Sequence, residues 1–429
     1  RERRYSNISI IMKKVELLAP AGSVDKAKIA FMYGADAVYA GTSKLSLRTR
    51  AEMNTDTLEE TIKYAHSIGK KVYVALNIYA QDEDYEEIEK EVKRLDEIHA
   101  DAIIASDVGV IDTIKKVAKN MDIHISTQAN IVSLHAANFW HKYGAKRVIL
   151  ARELSKEKIK YIMENKPKDL EVEMFIHGAI CFAYSGRCYL SKYLSGRCAN
   201  LGDCAQSCRW QYNFYAREVN NKDSIINLDF DDKGTYLFSS KDMCLIKQIP
   251  SIIEMGVDSL KIEGRLKTDY YLATVVRTYR QAIDEYLKLK EEKRENEYNP
   301  KKYLEELLKV KTRGLSEFYF SDSNNQDIHD LDGKNENPYY EYGAKVYSNL
   351  GNNIYQVEIK NKLSIGDKLQ VLFTDSFDKG EFEIKELFDE KTNEKIDTVN
   401  PGVKGQLVKI NIPFDNLKPG TVIRKVKNK

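Results

Sequence analysis

Long apolar runs are missing from this 429-residue chain. No stretch approaches the roughly 20 residues that a membrane-spanning helix needs. The basic opening segment, RERRYSNISIIMKKVELLAP, carries an apolar run of only Ile8 to Met12, with no small-residue cleavage site behind it. The expectation is a cytoplasmic protein with no membrane partner, Met12 as an alternative start, and residues 1–11 frayed or extraneous. Charge of one sign is missing too: 67 basic residues face 65 acidic ones, a net charge of +2. No global field therefore marks a nucleic-acid binder, and any such surface has to be a local patch. Internal repeats and low-complexity segments are absent, as are a G-x-S-x-G elbow and an H-E-x-x-H helix, so hydrolysis has no visible machinery. Cysteine is scarce, with six in the chain, and all six lie between Cys181 and Cys244.

What is present is a regular alternation. Eight short β-rich runs, VELLAP, DAVYAG, KVYVALN, DAIIAS, IHISTQ, KRVILA, EVEMFI and DSLKIEG, are separated mostly by amphipathic stretches such as SVDKAKIAFMYG, which end in glycine as helices usually do. Eight such units within roughly 250 residues fit a TIM-like (β/α)8 barrel, with a doubly wound open sheet as the runner-up. The connection after the seventh run is far too long, and residues 177–245 form a Cys-rich insertion there. In a barrel that loop opens on the C-terminal face, where active sites are built. A periodic helix follows the eighth run, then a polar Asn/Asp-rich linker over 313–338. From 339 to 429 alternating patterns with glycine turns predict a small C-terminal β-barrel. The domain reading is thus an extension over 1–14, a catalytic domain over 15–312, the linker, and the β-barrel.

The stretch HGAICFAYSGRCYLSKYLSGRCANLGDCAQSCRW holds five of the six cysteines. In a reducing compartment clustered thiols point to metal or redox chemistry rather than structural disulfides. The spacing is C-x6-C followed sixteen residues later by C-x3-C, without the paired C-x2-C knuckles of zinc ribbons. That irregularity favours an iron-sulfur cluster. Thiols that simply fill a core, or a disulfide relay, are the readings set against it.

Polar residues at the strand ends include Asn77, Gln128, Arg152, His177, Glu263 and Arg265. Many such residues only cap helices or face solvent. The run KIEGR nonetheless sets Glu263 beside Arg265 at the end of an apolar strand, where an acid and a guanidinium can orient an anionic substrate. His177 reads equally as an acid/base group and as a structural histidine. Arg187, Arg197 and Arg209, interleaved with tyrosines and Trp210, offer phosphate neutralisation beside stacking platforms, as a single-stranded RNA loop requires. Ordinary packing of the insertion is the alternative.

The segments ELLAPAG, DAVYAG, STQAN, EMFIHGAICFAYSGRCYLS, CRW and SLKIEGR resemble the collagenase-like peptidase family of unassigned catalytic type. ANLGDCAQSCRWQY and the appended C-terminal barrel are similar to that family's branch of prephenate-dependent tRNA uridine hydroxylation proteins. The resemblance implies a 4Fe-4S cluster, prephenate as co-substrate, and conversion of the wobble uridine in a tRNA anticodon loop to 5-hydroxyuridine. It also implies, for some relatives, a second related subunit. It points to Cys181, Cys188, Cys204 and Cys208 as ligands, with Cys244 as an alternative fourth. On this reading Arg152, Arg265 and Lys241 hold the carboxylates of the donor acid, while His177 or Glu263 moves protons. A collagenase-like peptidase and a non-catalytic RNA-binding module with structural zinc are the competing functions.

Overall fold

The computed structural model describes residues 15–42, 53–201, 203–213, 215–217, 225–227, 239–321, 328–330, 339–402 and 405–427. The expected N-terminal extension, 1–14, lies outside them, as do parts of the insertion and of the linker.

Seven strands, β1 (Glu16–Pro20), β2 (Ala37–Gly41), β3 (Lys71–Ala75), β4 (Ala102–Ala105), β5 (Asp122–Ile125), β6 (Arg147–Ile149) and β7 (Glu171–Ala179), alternate with helices α1–α6, Val24–Met32, Thr55–Ser67, Tyr85–Glu97, Val108–Val117, Leu134–Lys142 and Lys156–Asn165. The runs are mostly apolar because most positions of each strand are buried on both faces. Ser23, Asn54, Asp107, Ser133 and Ser155 each cap a helix by accepting a backbone N–H. The insertion then contributes α7 (Leu190–Ser195), the hairpin β8 (Tyr215–Arg217) and β9 (Ile225–Asn227), and β10 (Asp242–Cys244). After α8 (Ile249–Glu254), β11 (Ser259–Ile262) pairs in parallel with both β1 and β7. That double pairing closes an eight-stranded parallel barrel, as the eight runs imply.

The barrel interior is not wholly apolar. Arg147 of β6 reaches across to Glu16 of β1 at 2.6 Å and meets Glu173 of β7 at 3.0 Å. Lys261 of β11 binds Glu173 at 2.8 Å, and Tyr73 donates to Glu16 at 2.6 Å. Every strand that supplies a charge here also receives its counter-charge, which makes the burial tolerable.

Strand β7 runs nine residues, past the end of the barrel, and β10 pairs antiparallel with that overhang, setting Cys244 opposite His177. Within the expected linker, β12 (Leu315–Ser316) continues this sheet and Phe318 and Phe320 are buried. The long helix α9 (Asp269–Glu291) and the shorter α10 (Lys301–Leu307) follow β11.

From Tyr340 the chain forms an antiparallel half-barrel with its own apolar core. Its strands are β13 (Tyr340–Asn349), β14 (Ile354–Ile359), β15 (Leu363–Ser364), β16 (Lys368–Val371), β17 (Glu381–Glu383), β18 (Leu387–Asp389), β19 (Thr398–Val399), β20 (Leu407–Asn411) and β21 (Val422–Val426). It docks on the barrel through a buried ionic clamp. Glu306 of α10 pairs with Arg277 of α9 and, at 2.7 Å, with Arg424 of β21. Among the described residues no helix is long and apolar enough to cross a membrane.

Candidate active site

The C-terminal mouth of the barrel holds a cavity of about 180 Å³. Its floor is built from strand ends, with Tyr39, Asn77, Gln128, Phe175, Lys261 and Glu263 among the lining, and its roof is the inserted loop. Cys181, Cys188, Cys204 and Cys208 all line it, whereas Cys198 and Cys244 do not. Burial pushes the Cys208 thiol up, and Cys181, Cys204 and Cys188 are close enough to raise it further. The backbone N–H of Gln206, held in a left-handed conformation, donates to Cys204 Sγ at 3.3 Å. Among the described residues no three metal-ligating side chains meet closely enough to share one ion; the four thiols instead ring the roof of the cavity.

Asn77 and Gln128 come together as a pair. Asn77 Nδ2 donates to Gln128 Oε1 at 2.5 Å, and Gln128 Nε2 returns a bond to the Asn77 carbonyl at 3.1 Å. Gly186 of the loop lies against Gln128 with φ of +74°, and a Cβ there would sit 3.0 Å from Gln128 Cγ, so the loop closes down only because glycine is present.

Four cations line this cavity, Arg209 from the insertion and three from the barrel. Arg152 donates from Nη1 to the Ala179 carbonyl at 2.7 Å, and its guanidinium lies 3.9 Å from the Phe175 ring centre. Its buried Nε has no hydrogen-bond partner among the described residues. Arg265 lies 5.8 Å from the Tyr39 ring centre. The third is Lys261, 4.4 Å from the same ring, its ammonium pKa lowered first by burial and held up in part by Glu173. Glu263 stands among them and accepts from the Tyr39 hydroxyl at 3.3 Å.

Several expected residues lie elsewhere. Lys241 does not line the cavity, and its alkyl chain packs on Gly314, whereas Lys261 does line it. His177 is 1% exposed, packed between Tyr271 and Tyr279 behind the cavity wall. Burial lowers its imidazole to about 4, so it is neutral at pH 7 and does not touch the cavity. Cys244 is buried beside it, and burial raises that thiol to about 11. The Tyr279 hydroxyl joins the two, 3.3 Å from His177 Nδ1 and 3.7 Å from Cys244 Sγ. A cysteine and a histidine are thus adjacent, yet neither ionises near neutrality.

The arginines of the insertion divide by role. Arg209 lines the cavity and bonds Gln206 Oε1 at 2.9 Å. Arg197 is held by Asp203 at 2.6 and 2.8 Å and braces the loop. Arg187 is exposed, 6.0 Å from the Tyr79 ring centre, and Trp210 is exposed with Tyr184, Tyr189 and Tyr193. Lys261 is what sequence reasoning missed. Its signal was its place two residues before Glu263 on the same strand face.

A (β/α)8 barrel roofed by a cysteine-bearing loop and clamped to an antiparallel half-barrel defines the class of protein. The chain belongs to peptidase family U32: the family model matches residues 22–330, and the model of the family's C-terminal domain matches 339–424. It is 43% identical over 312 residues to the tRNA hydroxylation protein P1 of Bacillus subtilis, covering 72% of each chain. To the tRNA hydroxylation protein P of Escherichia coli it is 35% identical over 400 residues, 84% of this chain and 86% of that one. A collagenase of Porphyromonas gingivalis is 32% identical over 373 residues, 83% and 86% of the two chains.

Proposed function

We propose that this protein is an RNA-modifying enzyme that hydroxylates the wobble uridine of tRNA to 5-hydroxyuridine, with prephenate as co-substrate and a 4Fe-4S cluster. One observation carries the reading: four thiols and four cations, Arg152, Arg209, Lys261 and Arg265, line a single small cavity at the barrel mouth. Four cysteine thiolates are the usual ligand set of such a cluster, one per iron, which suits sulfurs arranged around a roof rather than converging on a point. Cys181, Cys188, Cys204 and Cys208 would hold it, and the Gln206 N–H would hydrogen-bond a ligand sulfur. Bound there, it would supply electron transfer to the space beneath.

The remaining roles fall to this chain's own groups. Arg152, Lys261 and Arg265 give a dianionic acid three positive partners, and Tyr39 and Phe175 give its ring apolar walls. Glu263, beside the Tyr39 hydroxyl, is the group placed to take or return a proton. Asn77 and Gln128 present amides that can read the edge of a uracil. Relatives named as tRNA hydroxylation proteins support the substrate class.

The collagenase relative raises a peptidase as the second reading. A cysteine peptidase needs a thiolate beside a usable base, and the neighbouring pair Cys244 and His177 is buried and neutral. Anaerobic purification followed by iron and acid-labile sulfide analysis tests the cluster. Nucleoside mass spectrometry of tRNA from cells lacking the gene tests the substrate; unchanged wobble uridines would refute it.

A further inference from the structure

A second cavity, of about 540 Å³, opens between the barrel and the half-barrel. Lys267, Lys311 and Arg313 line it, together with the carboxylates Asp242 and Glu341. Both carboxylates are already engaged. Asp242 pairs with Arg313, while Glu341 pairs with Lys427 and accepts from Asn361 Nδ2 at 3.1 Å. The Lys267 ammonium, by contrast, has no hydrogen bond or ion pair among the described residues, although the residue is half-buried. Its contact is the Tyr271 ring, 5.0 Å away.

Lys267 also feels its neighbours. Burial lowers its pKa most; Asp242 opposes this, and Arg313 and Arg209 lower it further. Arg209 lines the cysteine-roofed cavity, and Glu263 also favours the charged ammonium, so three cations share two carboxylates, of which Asp242 is already paired with Arg313. A partly desolvated ammonium near two arginines, with no direct ion-pair partner among the described residues, gains from an anion placed against it.

We propose that Lys267, with Arg313 and Arg209, forms a phosphate subsite that grips the RNA backbone next to the base entering the barrel. The subsite rests on the RNA reading above and adds to it the place where the strand leaves the cavity. The second cavity gives that strand a path between the domains, and Lys311 extends the positive track outward. A carboxylate of the small acid would share this chemistry, but the acid already has Arg152, Lys261 and Arg265 inside the first cavity.

The test uses the purified full-length chain and an anticodon stem-loop RNA, with binding followed by fluorescence anisotropy across a salt series. Lys267→Ala should weaken binding several-fold and reduce the slope of log affinity against log salt by about one, the signature of one lost phosphate contact. Lys267→Arg should restore both. Lys311→Ala, at an exposed position, should lower the slope in the same direction. If the wild type binds RNA and both alanine variants keep its affinity and slope, the subsite is wrong while the RNA reading stands. If the wild type does not bind the RNA, both fall. A raised KM for prephenate in Lys267→Ala with RNA binding unchanged would assign the ammonium to the acid and overturn the proposal.

Discussion

Cys208 and Cys244 carry the same side chain into different surroundings. Cys208 lies on a short turn of the insertion, facing the cavity beside Arg209, while Cys244 lies on β10, sealed behind His177 and Tyr279. Only the first lines the cavity that would hold the proposed cluster, which favours it as fourth ligand over the alternative that the resemblance left open. Cys208→Ser should therefore abolish bound iron and the visible absorption of anaerobically prepared protein, whereas Cys244→Ser and Cys198→Ser should keep both. Arg152 offers a second prediction at this scale. Its buried Nε awaits a partner, and a hydrogen bond to a charged group is worth about 1.5–3 kcal/mol. Arg152→Met should raise the KM for prephenate by about ten- to a hundredfold, measured in steady-state assays, with a smaller effect on kcat. That the four thiols, Asn77, Gln128, Arg152, Glu263 and Arg265 would gather at one end of the barrel was legible because each stands at a strand end or in a dense motif. Lys261 was not, because its role comes from facing Tyr39 and Phe175 on other strands. His177 stayed open between an acid/base and a structural role because the tyrosines that bury it lie about a hundred residues further along the chain.

At the scale of elements, the alternation of apolar runs and glycine-ended helices was enough to count eight strands. The extra strand β10 escaped notice because it is three residues long and its partner is the overhang of β7. That overhang needs Gly178, which has φ of +108° and would put a Cβ 2.6 Å from the Glu263 carbonyl oxygen. The interior charges were equally hidden, since a lysine or glutamate within a strand reads as an outward position until the register is known. Glu173 is fully buried and binds both Arg147 and Lys261. Glu173→Leu would strand the Lys261 ammonium and should lower stability by about 3–5 kcal/mol, read from urea unfolding. A loss below 1 kcal/mol would show that the network contributes little.

Across the whole molecule the clamp at Glu306 joins parts of the chain that no local pattern relates. Burial raises its pKa, but Arg277 and Arg424 outweigh that and hold the carboxylate at about 2, against an ordinary 4.5. A folded-state pKa below the unfolded one contributes stability above the unfolded value, and that contribution fades as pH falls from about 4.5 through 2. Wild-type protein should therefore lose docking of the half-barrel over this window, seen as rising proteolysis between the domains. Glu306→Gln should be weakened at neutral pH and lose that part of the acid dependence.

The same architecture places the thiols, the cations and the cleft between domains on one side of the barrel, which is the basis for reading it as an RNA hydroxylase. The most direct test is anaerobic incubation of the iron-loaded full-length protein with tRNA lacking the modification, prephenate and a reductant, followed by nucleoside mass spectrometry. The account predicts 5-hydroxyuridine at the wobble position, formed only with prephenate and lost in Cys208→Ser. Unmodified uridine from fully iron-loaded protein, or the same product from the Cys208→Ser variant, would contradict it.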